Sequence, residues 1–152
     1  MLIDLHCHTK LSYDGFTTYK QILKACKKKK ISAVAITEHD KLDPFIKSYF
    51  KKYGLKIITG CEFTTDQNAH IIGLFINKAE PKRNDIDTII KHILSQNGLV
   101  LIPHPFKKET GIFKIYKNFN FLKKCHLIEL VNGGTKESEE EKKKIIFIAN
   151  KY

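Results

Sequence analysis

Ala33-Val34-Ala35-Ile36-Thr37-Glu38-His39-Asp40 is an apolar, β-rich run that ends abruptly in ionisable side chains. Residues 33–37 have the length and the small, branched composition of a strand buried on both faces. The polar cluster directly after them marks its carboxyl end. The same arrangement recurs along the chain. Residues 2–5 close on His6-Cys7-His8, residues 56–59 lead into Gly60-Cys61-Glu62, and residues 99–102 lead into Pro103-His104-Pro105. Residues 69–76 and 127–131 read as two further strands, with His70 near the start of the first.

Helical stretches separate most of these strands. Thr18-Tyr19-Lys20-Gln21 fits a capping box and opens a helix from about Tyr19. Asp43-Pro44 fits an N-cap and first helical position, with Gly54 as the stop. A third helix runs from about Asp85 to Asn97-Gly98, and residues 137–151 form a closing one. Strands alternating with helices predict an α/β fold on a mostly parallel sheet, open or rolled into a barrel. Chemistry in such folds gathers at the carboxyl ends of the strands.

Composition narrows the function classes. The chain of 152 residues, 42% hydrophobic, is expected to make one domain spanning 1–152. No apolar run approaches the ~20 residues of a membrane span, so no membrane partner is expected. Met1-Leu2-Ile3-Asp4 shows no basic segment followed by an apolar one, which argues for a cytoplasmic location and reduced cysteines. Cys7, Cys26, Cys61 and Cys125 form no C-x-x-C pair, which speaks against a thiolate zinc site. The formal charge of +11 invites a nucleic-acid reading. Arg83 is the single arginine, however, and the lysine runs at 27–30 and 142–144 read as solvated helix faces. Charge is compatible with an anionic substrate but does not select one.

The histidines carry the chemistry. In a strand, residues two apart share a face about 7 Å from one another, so His6 and His8 can converge on one metal. Asp14-Gly15 lies in the loop that follows them. His39 sits in its polar cluster, Glu62 lies just past a strand, and His70 stands in the apolar run Ala69-His70-Ile71-Ile72-Gly73, where it needs a partner. His104 is fixed between two prolines. Each alone reads as a satisfied structural residue. Gathered at strand ends, they read as one shared metal cluster. Imidazole suits zinc, manganese or iron, and the added carboxylates favour more than one bridged divalent ion. There is no nucleophile elbow, P-loop or dinucleotide turn. Gly133-Gly134 reads as a flexible turn. His92, inside a helix, and His126 read as structural, while strand alternation turns Cys7 and Cys61 away from the site.

With those motifs in place, the chain resembles the polymerase-and-histidinol-phosphatase (PHP) superfamily. Asp4-Leu5-His6-Cys7-His8-Thr9 with Ser12-Tyr13-Asp14-Gly15 is similar to its first motif. Ala35-Ile36-Thr37-Glu38-His39-Asp40 is similar to its second and Gly60-Cys61-Glu62 to its third, with His70 and His104-Pro105 matching the next two. The resemblance implies a distorted (β/α)7 TIM-like barrel with up to three metal ions. His6, His8 and Glu62 would share one ion, and Glu62, His70 and His104 a second, with Glu62 bridging. Asp14 and His39 would contribute to a third. A hydroxide held between the first two would attack phosphorus. Lys107, just past His104-Pro105, reads either as a solvated lysine or as a positive charge for substrate binding.

One departure stands out. The family closes on a late Gly-Ser-Asp-x-His-like motif, and this chain reaches Tyr152 without it. The expectation is a barrel lacking its last strand or strands, C-terminally incomplete, that binds one or two metal ions and hydrolyses weakly or not at all. The leading reading is a metal-dependent hydrolase of phosphoesters, acting on a small phosphorylated metabolite or a nucleotide. The alternatives are a 3′-5′ nuclease with nucleic acid as partner, a degenerate non-catalytic metal-binding module, and an amidohydrolase.

Overall fold

The computed structural model describes residues 1–152. The chain runs β1 (Leu2–Asp4), α1 (Tyr19–Lys29), β2 (Ile31–His39), α2 (Ile46–Lys51), β3 (Lys56–Thr64), β4 (His70–Leu74), α3 (Ile86–Leu94), β5 (Leu99–Ile102), α4 (Ile112–Ile115), β6 (Leu127–Ile128) and α5 (Glu139–Lys151). A 3₁₀ turn at Asn120–Lys124 precedes β6. Local chemistry sets several of these bounds. The Gln21 amide donates to Thr18 Oγ1 at 3.3 Å, and the Gln21 side chain accepts from the Thr18 amide at 2.8 Å. This reciprocal box opens α1. Ser138 and Glu141 open α5 in the same way. Helix α3 buries Ile86, Ile89, Ile90 and Ile93, one face at helical spacing.

The six strands form one sheet in sequence order, curled into a half-barrel. β1, β2 and β3 are parallel, as are β5 and β6. β4, however, is antiparallel to both of its neighbours, so the mostly parallel sheet carries one reversed strand. Residues 65–69 are too few to carry the chain back to the far end of the sheet, and β3 and β4 therefore close as a hairpin. The reversal has a consequence for chemistry. His70, first in β4, lies at the same end as the carboxyl ends of β2 and β3, and pairs in register with Thr64.

Other expected bounds shift as well. β2 and β3 run on through His39 and Glu62, which are strand residues and not loop residues after a strand. β1 stops at Asp4, leaving His6 and His8 in the following loop. Asp43 does not cap α2. Its carboxylate accepts from the Phe45 amide at 2.9 Å and from the Tyr19 hydroxyl, which holds a turn ahead of a helix that begins at Ile46. β6 covers two residues, and Leu130 and Val131 lie beyond it.

Strand alternation sorts the core into layers. On the outer face, Phe63, Ile71, Val100 and Ile102 pack against α3. Ile22, Cys26, Val34, Ile36, Ile46 and Phe50 seal α1 and α2 onto β2. On the concave face Ala35, Ile58, Ile72, Leu74 and Leu101 form an apolar floor. Glu62 and His70 share the parity of Ile58 and Ile72, so they stand on that floor at its open end.

Candidate metal centre

Glu62 is the hub. Its side chain is only 1% exposed, and four imidazoles reach it. Oε1 lies 2.8 Å from His70 Nδ1 and 2.9 Å from His104 Nε2. Oε2 lies 3.1 Å from His6 Nε2 and 2.9 Å from His8 Nε2. One carboxylate thus divides its two oxygens between two pairs of histidines. His39 Nδ1 stands 3.6 Å from Oε2, while its Nε2 is 3.2 Å from Asp14 Oδ2. The ligand atoms of His6, Glu62 and His104 all lie within 4.8 Å of one another, as do those of His8, His39 and Glu62.

A second ring of polar residues holds these side chains in place. Glu129, just past β6, accepts from the His104 amide at 2.6 Å through Oε2 and contacts His6 Nδ1 at 2.8 Å through Oε1. His104 has φ +27°, a backbone conformation that L residues rarely adopt, and the bond from its amide offsets part of that cost. The Asn132 amide donates to the same Oε2 at 3.0 Å. On the other side, buried Glu38 accepts from the Thr9 amide at 3.0 Å and from the hydroxyls of Thr9 and Ser12. Ser12 Oγ accepts from the His39 amide at 3.1 Å and lies 3.2 Å from His8 Nδ1. The loop bearing His8 and Asp14 is thereby tied to the end of β2. Gly15 completes it, because a Cβ there would run into the Thr9 carbonyl.

The electrostatics ask for a cation. Burial disfavours charge on Glu62, yet hydrogen bonds from His104, His6, His70 and His8 hold its carboxyl far below the usual range. Burial also opposes a charged His6, but Glu129 and Glu62 outweigh it and raise its pKa to about 10. Burial pushes His39 down, against the pull of Glu62 and Asp14. Asp14 also meets a desolvation penalty, which the hydrogen bond from His39 overcomes, so its pKa is lowered. A buried carboxylate ringed by imidazoles needs positive charge, either as protons or as metal. His39 Nδ1 and His104 Nδ1 are buried without a hydrogen-bond partner. The donor set of imidazole and carboxylate fits divalent transition metals.

Every residue singled out as a ligand in the sequence comes to this place. His6, His8, Asp14, His39, Glu62, His70 and His104 line one cavity of about 250 Å³, together with Lys107, Asn132, Gly133 and Gly134. The glycine turn, which carried no function in the sequence reading, is part of the wall. His92 bonds the Lys78 carbonyl at 2.9 Å, and His126 accepts from the Val100 amide at 3.1 Å, both away from the site. All four cysteines are free thiols. Burial pushes Cys7 up to about 12 and Cys61 higher, and both pack into the core rather than toward Glu62. Glu38 and Glu129 were missed. A lone acid inside Leu127-Ile128-Glu129-Leu130-Val131 is the one trace Glu129 leaves in the sequence.

The profile of the PHP domain matches residues 4–146. This chain belongs to the PHP domain family. An uncharacterized protein of Methanocaldococcus jannaschii is 36% identical over 118 residues, which cover 70% of this chain and 68% of that protein. The PHP fold extends to more distant structures. A two-domain protein of Bacteroides vulgatus containing a predicted PHP-like metal-dependent phosphoesterase superimposes with TM-score 0.73 at 18% identity, over 96% of this chain. The match spans 48% of that protein, about half its length. An amidohydrolase of Chromobacterium violaceum, with bound sulfate and no metal, gives TM-score 0.73 at 15% identity over 99% of this chain and 84% of that one. No helix of this PHP domain is long and apolar enough to cross a membrane.

Proposed function

We propose that this PHP domain is a metal-dependent phosphoester hydrolase acting on a small phosphorylated metabolite or a nucleotide. The observation that carries the reading is the division of the Glu62 carboxylate, with His6 and His8 on Oε2 and His70 and His104 on Oε1. His6, His8 and Glu62 would hold one ion, Glu62, His70 and His104 a second, and Asp14 with His39 would add to a third. The ions are zinc, manganese or iron, and when bound they supply Lewis acidity toward a phosphoryl oxygen and lower the pKa of water.

The chain's own groups do the rest. Glu62 spans both positions from within a strand, the most rigid place available. Glu129 orients the His6 ring through Nδ1, fixing which nitrogen faces the site. Ser12 does the same for His8. The cavity of about 250 Å³ accepts a phosphoryl group, with Lys107 at its edge as a positive charge toward the ester. Gly133-Gly134 add no side chains to the wall, so a variable leaving group can extend outward past them.

Hydrolysis of a chromogenic phosphate monoester with added manganese tests this reading. The wild type should turn over, and His8→Ala should lose at least about 100-fold in kcat/KM. A wild type that binds metal but leaves the ester intact, or a His8→Ala variant as active as wild type, would refute it. Release of mononucleotides from a single strand would assign the substrate to nucleic acid ends.

A further inference from the structure

We propose that the end of the sheet opposite the metal centre is a groove that binds the phosphodiester backbone of nucleic acid. Residues 15–37 carry six lysines (Lys20, Lys24 and the four at 27–30), and residues 44–61 carry four (Lys47, Lys51, Lys52 and Lys56). Neither stretch contains an aspartate or a glutamate. With a formal charge of +11 on the whole chain, these ten unbalanced charges nearly equal the total, and every one of the side chains is exposed.

Four lysines elsewhere in the same molecule are paired with carboxylates. On α5, Lys142 lies 2.7 Å from Glu139 and Lys144 2.6 Å from Glu140. Lys114 reaches Glu141 at 3.7 Å and Lys124 reaches Asp87 at 3.4 Å. Those are solvated, self-neutralised faces. None of the ten lysines on α1, α2 and the start of β3 pairs with a carboxylate.

Packing brings Lys24, Lys27 and Lys56 of this set to one cavity. Ile22 and Cys26 of α1 and Ile46 and Phe50 of α2 share one apolar cluster over β2, which sets the two helices side by side. Between their carboxyl-terminal ends lies a cavity of about 860 Å³, with Lys24 and Lys27 on one wall and Tyr53 and Lys56 on the other. Tyr53 is 52% exposed there. From Lys56 to Glu62 is six residues of β3, roughly 20 Å at about 3.3 Å per residue. The groove is therefore separate from the phosphoester site, and the proposal does not rest on hydrolysis.

The physical case is electrostatic. Like charges crowded on one face repel, and a polyanion relieves that repulsion while releasing its own counterions. Lysine meets phosphate as a point charge and, without arginine beside it, reads no base, so binding is independent of sequence. Tyr53 offers a face for stacking. A cleft between two helices fits a chain-like polyanion, whereas a lipid surface is planar.

The test is fluorescence anisotropy with a labelled oligonucleotide of about 20 nucleotides, single-stranded and duplex, between roughly 50 and 200 mM salt. Binding should weaken steeply with salt. The triple variant Lys24→Gln, Lys27→Gln, Lys56→Gln should lose at least about tenfold in affinity and flatten the slope of log K against log salt by about 2 to 3. The control triple Lys142→Gln, Lys143→Gln, Lys144→Gln should change affinity by less than about twofold. Chromogenic ester hydrolysis should be the same in both, so failure of the groove and failure of the phosphoesterase reading show separately. No binding at the lowest salt, equal loss in the two triples, or binding to phosphatidylserine vesicles with none to either oligonucleotide would overturn the proposal.

Discussion

The two ends of this sheet handle charge in opposite ways. At the carboxyl end, a buried glutamate is surrounded by four imidazoles, and the rings of His6 and His8 are each fixed by a further hydrogen bond. At the amino end, exposed lysines stand without a carboxylate, spread over the ends of two helices. Burial explains the contrast. A charge out of water must be matched group by group at hydrogen-bond distance, whereas a solvated charge is screened within about 10 Å and tolerates loose placement. The first arrangement therefore specifies a small, geometrically demanding ligand. The second suits an extended ligand that needs only charge density.

That contrast can be broken most severely at Glu62. Glu62→Gln removes the charge shared by both histidine pairs, and it should abolish hydrolysis, by at least about 10³-fold, and leave less than one metal ion per chain by elemental analysis. Retained metal and activity would show that the histidines suffice and the glutamate is only a scaffold. A smaller effect comes from the ion itself. Manganese or zinc at 100 times its Kd should stabilise the chain by about 2.7 kcal/mol, read as a rise in Tm that chelator reverses. An unchanged Tm would mean the carboxyl end is already complete without metal.

Glu129 sharpens the comparison one step outward. Glu129→Gln keeps the shape but weakens the hold on His6 and on the strained His104 amide, and metal affinity measured by competition with a chelator should fall about 10- to 100-fold. The smallest expected effect lies at the start of α1, beside the loop that bears His8 and Asp14. Thr18→Ala removes the cap of α1 and should cost about 1 kcal/mol in urea unfolding, with metal content unchanged. Loss of metal in that variant would show that the cap also holds the loop bearing His8 and Asp14.

Much of the site was legible because each candidate ligand except Asp14 sits at the edge of a short apolar run. A histidine or glutamate in that place has few structural reasons to be there, and five such places in one chain point to a shared centre. The same logic recovered the capping box at Thr18-Gln21, a purely local interaction. It failed at Asp43, where a local signature for a cap was overridden by the Tyr19 hydroxyl from a distant helix. It failed again at Glu38 and Glu129. Their roles depend on partners 29 and 123 residues away, Thr9 and His6, and nothing in their neighbourhoods announces those pairings.

The sequence by itself determined the alternation of strands and helices, the identity of the seven ligand-type residues and the charge of the lysine runs, because those follow from local periodicity and side-chain chemistry. Only the tertiary structure decided that β4 turns back, which brings His70 to the same end as His39 and Glu62. It alone divided the two oxygens of Glu62 between histidine pairs, and it alone placed unpaired lysines from α1 and the start of β3 around one cleft. Strand direction and the meeting of distant side chains are set by packing across the whole sheet, and no stretch of chain contains that information on its own.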